Sequence, residues 1–209
     1  MNSSELLRIV RYGAITLVAV LVFASLAVSL GFFQSGPVPG ASPALGARLI
    51  APFKLVDQDG QAVSEADVLG RPAAVFFGFT HCPEVCPTTL ASLTATLRRM
   101  GSAANKLGVF FVSVDPERDT SDELESYLSA FDPRIRGLTG TPDQIAAFAK
   151  PLGVYYARTK VEGGGYTVEH TATMFLLDAQ GRFVGSIAYG EAQDAALAKL
   201  GNLARTPTS

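Results

Sequence analysis

Ten residues, Gly78 to Pro87, read GFTHCPEVCP and hold both cysteines of the chain, Cys82 and Cys86. An unbroken apolar run, Ala73-Ala74-Val75-Phe76-Phe77, leads into them. Continuous apolarity over so short a span reads as a strand buried on both faces. A helical pattern from about Thr88 to Met100 leads out. The two thiols therefore sit where a central strand turns into a helix, and a fold for this chain must bring that turn to the edge of its core. Pro87 suits the first helical position, because the N–H it lacks has no intrahelical acceptor there. Cys86 then falls near the N-cap, with Cys82 just ahead of it. Free backbone N–H groups and the helix dipole favour a thiolate at that point. Two soft anionic ligands held close suit either a disulfide or a Cu(I)- or zinc-type metal. Three residues separate the cysteines, one more than in Cys-x-x-Cys. Each sulfur can still reach the other, and the wider loop leaves room for an ion between them. Pro83 and Pro87 beside the cysteines, at a strand-to-helix turn, make this a poor place for an inert structural pair.

The rest of the chain supplies an anchor, a tether and one domain. Residues 1–11 are short and polar, with Arg8 and Arg11, and read as a cytoplasmic N-terminus. Residues 12–33 are twenty-two residues without a charge. As a helix they would span about 33 Å at 1.5 Å per residue, enough for a hydrocarbon core of about 30 Å. The run exceeds the 7–15 apolar residues of a usual signal peptide, although Ala24-Ser25-Leu26-Ala27 leaves cleavage open. Two arginines before the run and none just after it put the following domain across the membrane. Residues 34–48, QSGPVPGASPALGAR, have no helical or strand period and read as a flexible linker. Residues 49–204 form the domain, and 205–209 a frayed tail. A net charge of −2 and the lack of a basic cluster argue against a nucleic-acid partner.

Inside the domain, Phe53–Val56 and Gln61–Val63 flank Asp57-Gln58-Asp59-Gly60, a hairpin signal. Ser64 could cap a short turn ending near Gly70. Val109–Val114 is a second continuous apolar strand, stopped by Asp115-Pro116. Thr120 with Glu123 suggests a capping box for a helix to about Ala130, and Thr141-Pro142-Asp143-Gln144 starts another to Ala149. Segments 155–161 and 166–169 flank a glycine loop. Segments 173–177 and 183–189 read as an antiparallel hairpin, and 191–203 as a closing helix. This order predicts an α/β, thioredoxin-like fold with an inserted hairpin and extra elements, preceded by one N-terminal transmembrane helix.

The chain has two histidines, His81 and His170. In a thioredoxin-like sheet, the segment entering strand 173–177 passes beside the turn that bears the cysteines. Cys82, Cys86 and His170 could then converge as a copper site, since thiolate favours Cu(I) and imidazole tolerates Cu(II) as well. On spacing alone His170 is equally readable as a surface histidine. His81 lies within the motif and is a candidate for supporting the site from outside the ligand set.

GFTHCPEVCP, then SVDPERDT (Ser113 to Thr120), then VEHT (Val168 to Thr171), in this order, resemble the SCO/SenC family. The similarity covers roughly residues 49–203, and the preceding anchor also fits. The resemblance implies a membrane-anchored, thioredoxin-fold metallochaperone that helps assemble the binuclear copper centre of cytochrome c oxidase. It carries the copper ligands to Cys82, Cys86 and His170, with the two cysteines also a redox pair. Asp115 matches the family's acidic position after the strand, where it would tune the site or simply serve its Asp-Pro turn. The implied partners are the oxidase's copper-bearing subunit, other copper chaperones or thiol reductants, and membrane lipid through residues 12–33. The implied location is a bacterial inner membrane with the domain on the periplasmic side. A thiol–disulfide oxidoreductase without copper delivery is the alternative. The cysteine spacing and the absence of proline from Thr167 to Phe175 stand against it. A one-cysteine peroxidase and a redox or copper sensor are further alternatives.

Overall fold

A computed structural model describes residues 43–206 and, nearer the N-terminus, the helical positions 12, 15–17, 20, 22 and 23. Residues 1–38 and 39–209 form separate compact units. The expected anchor over 12–33 therefore lies for the most part outside the described residues, as do most of the linker and the last three residues of the tail. No helix among the described residues is long and apolar enough to cross a membrane.

The domain's elements in chain order are β1 (Lys54–Asp57), β2 (Ala62–Ser64), α1 (Glu65–Val68), β3 (Ala73–Gly78), α2 (Val85–Met100) and β4 (Gly108–Ser113). Then follow α3 (Ser121–Leu128), β5 (Ile135–Thr139), α4 (Pro142–Ala149), β6 (Tyr156–Lys160), β7 (Tyr166–His170), β8 (Met174–Leu177), β9 (Phe183–Ile187) and α5 (Gln193–Leu203). Seven strands make one mixed sheet in the order β2-β1-β5-β4-β3-β8-β9, and β6 and β7 pair only with each other. β3, β4 and β5 run parallel, and β8 returns antiparallel beside β3.

The apolar runs end where they are needed. All six residues of β3 and all six of β4 are buried, as expected of strands covered on both faces. Alternation splits β3 between two cores. Ala73, Val75 and Phe77 join a cluster with Phe53, Ile145 and Phe148, and Ala74 and Phe76 join one with Leu90, Leu97, Leu124 and Leu200. Each such aromatic contributes about 1.5–3 kcal/mol by leaving water. The cap signals work locally. Thr141 accepts from the Gln144 N–H while the Gln144 side chain accepts from the Thr141 N–H, a complete capping box. Thr120 accepts from the Glu123 N–H, but α3 ends at Leu128, short of Ala130. Ser64 and Asp67 form a capping box at α1.

Three differences from the sequence reading matter. Strand β5 was not anticipated, and it lies between β1 and β4. Gly46 donates to the Phe183 carbonyl at 2.7 Å and Arg48 bridges Arg182, so the last residues assigned to the linker are attached to the domain. Helix α2 begins at Val85 with Glu84 as N-cap, so Cys86 and Pro87 lie inside its first turn rather than at its boundary. Pro87 fits there because the first-turn N–H groups have no intrahelical acceptor to lose.

Candidate metal centre

Strand β3 carries the chain through the middle of the sheet and releases it at Gly78. The loop Phe79–Glu84 then leaves the sheet at the C-terminal end of β3 and enters α2. Its course is fixed by a buried carboxylate. Asp119 accepts from the Thr80 N–H at 3.0 Å, the Thr80 hydroxyl at 2.7 Å and the Ser113 hydroxyl at 2.6 Å. Three donors offset the cost of burying this charge. Two residues beyond Thr80, Cys82 N–H donates to the Phe79 carbonyl at 3.3 Å.

Both cysteines are free thiols, Cys82 half-buried and Cys86 fully buried. The Cys86 N–H donates to Cys82 Sγ at 3.4 Å. Cys82 thereby supplies the side-chain acceptor that Glu84 does not give the helix end. On the far side of the sulfurs is His170, the last residue of β7. Its Nε2 lies 3.5 Å from Cys86 Sγ, and its ring packs edge-on against Phe79 and Phe76. His170 Nδ1 is 3.1 Å from the Thr171 carbonyl. A carbonyl can only accept, so this partner assigns the proton to Nδ1 and leaves the Nε2 lone pair facing the sulfurs.

One potential ligand atom from each of Cys82, Cys86 and His170 lies within 4.8 Å of the others. The two thiols differ in kind. The Cys86 thiol donates to Cys82 and holds it as thiolate, pushed down to about 3. Burial opposes that shift. The same contact and its own burial push Cys86 strongly up. Of the two, the half-buried Cys82 is the sulfur whose surroundings favour the thiolate, and the fully buried Cys86 the one whose surroundings disfavour it. Two sulfurs and one imidazole nitrogen, with one sulfur already anionic, fit a thiophilic metal such as Cu(I).

The other residues singled out from the sequence lie elsewhere. His81 is half-exposed, with Nδ1 2.9 Å from the Thr80 hydroxyl, and it is outside the three-residue group. Asp115 is buried and binds Arg118, Arg158 at 3.4 Å and the Tyr166 hydroxyl at 2.8 Å. Neither bonds a sulfur or His170. The residue missed was Asp119, four positions after Asp115 in SVDPERDT, whose charge also pushes Cys86 up. The second aspartate of that motif was its available signal.

A family model described as SCO1/SenC matches residues 41–205. The chain is 38% identical over 153 residues to "Protein SCO1 homolog 1, mitochondrial" of Arabidopsis thaliana, which covers 72% of this chain and 44% of that protein. It is similar to the copper-bound structure of Bradyrhizobium japonicum ScoI, at 43% identity and a TM-score of 0.69, over 74% of this chain and 98% of that one. The copper-bound structure of Arabidopsis thaliana ScoI gives 34% identity and a TM-score of 0.70, over 75% and 98%. The chain spans about half the length of the curated relatives it matches.

Proposed function

The chain belongs to the SCO1/SenC family, and on that footing we propose that it is a membrane-anchored copper chaperone. It delivers copper to the binuclear copper centre of cytochrome c oxidase and can reduce that centre's cysteines. The observation that carries this reading is the convergence of Cys82, Cys86 and His170 within 4.8 Å. Copper is the cargo, held by the two sulfurs and His170 Nε2. The half-buried Cys82 thiolate is the sulfur an incoming ion meets first. The Cys86 proton leaves as the ion is taken up, so capture releases that proton and weakens in acid. Release runs in the opposite order, with acceptor thiolates replacing Cys82 and His170 before the fully buried Cys86.

The depressed Cys82 thiol also favours a second use of the pair. Its thiolate attacks one sulfur of an acceptor disulfide, forming a mixed disulfide and freeing the other acceptor sulfur. Cys86 then gives up its proton and attacks Cys82, releasing the second acceptor thiol. Two electrons pass to the acceptor, and the chain is left with a Cys82–Cys86 disulfide that a thiol reductant must reset. Oxidised, the pair offers no thiolates, so the two uses alternate.

Residues 12–33 serve as the anchor. Every described position there is helical and exposed, including Tyr12, Ile15, Leu17, Val20, Val22 and Phe23. With arginines on the N-terminal side, the domain works on the periplasmic face of a bacterial inner membrane. The test is a Cu(I) titration of the reduced unit 39–209 against a competing chelator, beside His170→Ala. One equivalent bound, with affinity weakened at least about tenfold in the variant, is expected. No binding, together with rapid thiol–disulfide exchange, would leave only the reductase.

A further inference from the structure

We infer that Arg118 is a positioning residue that latches the β6–β7 hairpin to the domain and so sets His170 over the two sulfurs. The inference rests on the copper-site reading above. His170 is the only one of the three ligand candidates outside the cysteine turn. It sits at the end of a two-stranded sheet that shares no ladder with the main one. Among the described residues, the hydrogen bonds leaving this hairpin run to Asp115, Glu117 and Arg118, apart from the contacts of His170 itself with Cys86 and the adjoining Thr171 carbonyl.

Arg118 is the centre of that attachment. Its Nε donates to the buried Asp115, and its Nη1 donates to the Tyr166 carbonyl at 3.1 Å. Its guanidinium lies 4.0 Å from the Tyr166 ring centroid and 5.8 Å from that of Phe79. Phe79 in turn packs edge-on against His170, at 5.8 Å between centroids. The same phenylalanine ring is thus shared by the latch and the ligand. Arg118 Nη2 is buried and makes no hydrogen bond, so that edge of the guanidinium is held by ring faces. Lysine cannot reproduce this, because stacking and the paired donors require the planar guanidinium.

Two variants test the latch from its two sides, Arg118→Met and Tyr166→Leu. In the copper-free protein, amides of 156–170 should exchange faster with deuterium while those of β3 and β4 stay protected. Copper affinity should fall about 10–100-fold in Arg118→Met, the range for residues that orient a metal ligand. In a His170→Ala background the same substitution should change affinity by no more than about twofold, because the residue it positions is already gone. A purely structural role would weaken binding equally in both backgrounds. Arg118→Lys should not restore the affinity. Unchanged hairpin exchange in Arg118→Met, equal losses with and without His170, or loss of the main sheet in both variants would overturn the inference. Failure of the unsubstituted protein to bind copper would instead sink the copper-site reading, and the exchange measurement would still judge the latch.

Discussion

Gly78 is the last residue of β3, and its missing side chain makes room for the metal centre. A Cβ there would lie 2.6 Å from Cys86 Sγ and 2.7 Å from Phe111 Cε2. Carbon contacts settle near 3.5–4.0 Å, so Gly78→Ala demands a retreat of about 1 Å. Neither neighbour can give way freely. Cys86 and Phe111 are both fully buried, and Cys86 belongs to the first turn of α2. Overpacking of this kind costs about 1–3 kcal/mol. For a chain of this length that lowers Tm by about 2–12 °C, at 2–4 °C per kcal/mol. Metal ligands tolerate errors of only about 0.2 Å, so copper affinity should fall at least about tenfold. Thermal melts of the copper-free protein and a Cu(I) competition titration read the two effects. Gly201→Ala in α5 is the matched control. Its Cβ would meet only Arg205 Nη1 at 3.7 Å, so gaining a helix-favouring side chain should raise stability by about 0.5–1 kcal/mol. Wild-type Tm and copper affinity in Gly78→Ala, or the same sign of change for both glycines, would refute the argument.

Two further outcomes follow from the charged groups. Arg134 donates to both carboxylate oxygens of Asp132 at 2.7 and 2.8 Å and holds its carboxyl below the usual range, against the effect of burial. A depressed folded-state pKa gives stability that is present above the unfolded value near 4 and lost as pH falls through the folded one. Denaturant midpoints should therefore drop between about pH 5 and pH 2, less steeply in Asp132→Asn, and parallel curves would exclude the pair as the cause. Asp119→Ala leaves the Thr80 N–H and the Ser113 hydroxyl without their acceptor, at a cost of about 1–3 kcal/mol. Denaturation should show that loss and a copper titration a weaker site, while His81→Ala moves neither; a copper effect of His81→Ala matching that of Asp119→Ala would contradict the placement of both.

The strand-turn-helix at the cysteines was legible because each part had its own local signal: an unbroken apolar run, a proline and a helical period. The caps at Thr120 and Thr141 were legible for the same reason. Strand β5 was not, because Ile135-Arg136-Gly137-Leu138-Thr139 has neither an alternating nor a continuous apolar pattern. Its polar residues find partners far off in sequence. Arg136 reaches Asp57 at 2.7 Å, and the Gly137 N–H donates to the Gln58 side chain at 2.7 Å. Gly137 also lets α3 close down, since a Cβ would meet Leu128 at 2.6 Å. At the metal centre, residue types and the family resemblance pointed to Cys82, Cys86 and His170 together. The support beneath them was hidden, because a buried carboxylate such as Asp119 is recognisable only once its three donors are in place.

Cys86 and His170 stand 84 positions apart, and that separation governs when the centre can exist during synthesis. The thiols emerge early, but His170 arrives after β6, and β8 just beyond it must still zip onto β3 in the middle of the sheet. Closing so long a loop is an entropic barrier crossed late in folding. A partly made chain can therefore offer copper no more than two sulfurs. Tight loading then reports a finished domain, so the protein's ability to hold copper doubles as a proof of its own assembly.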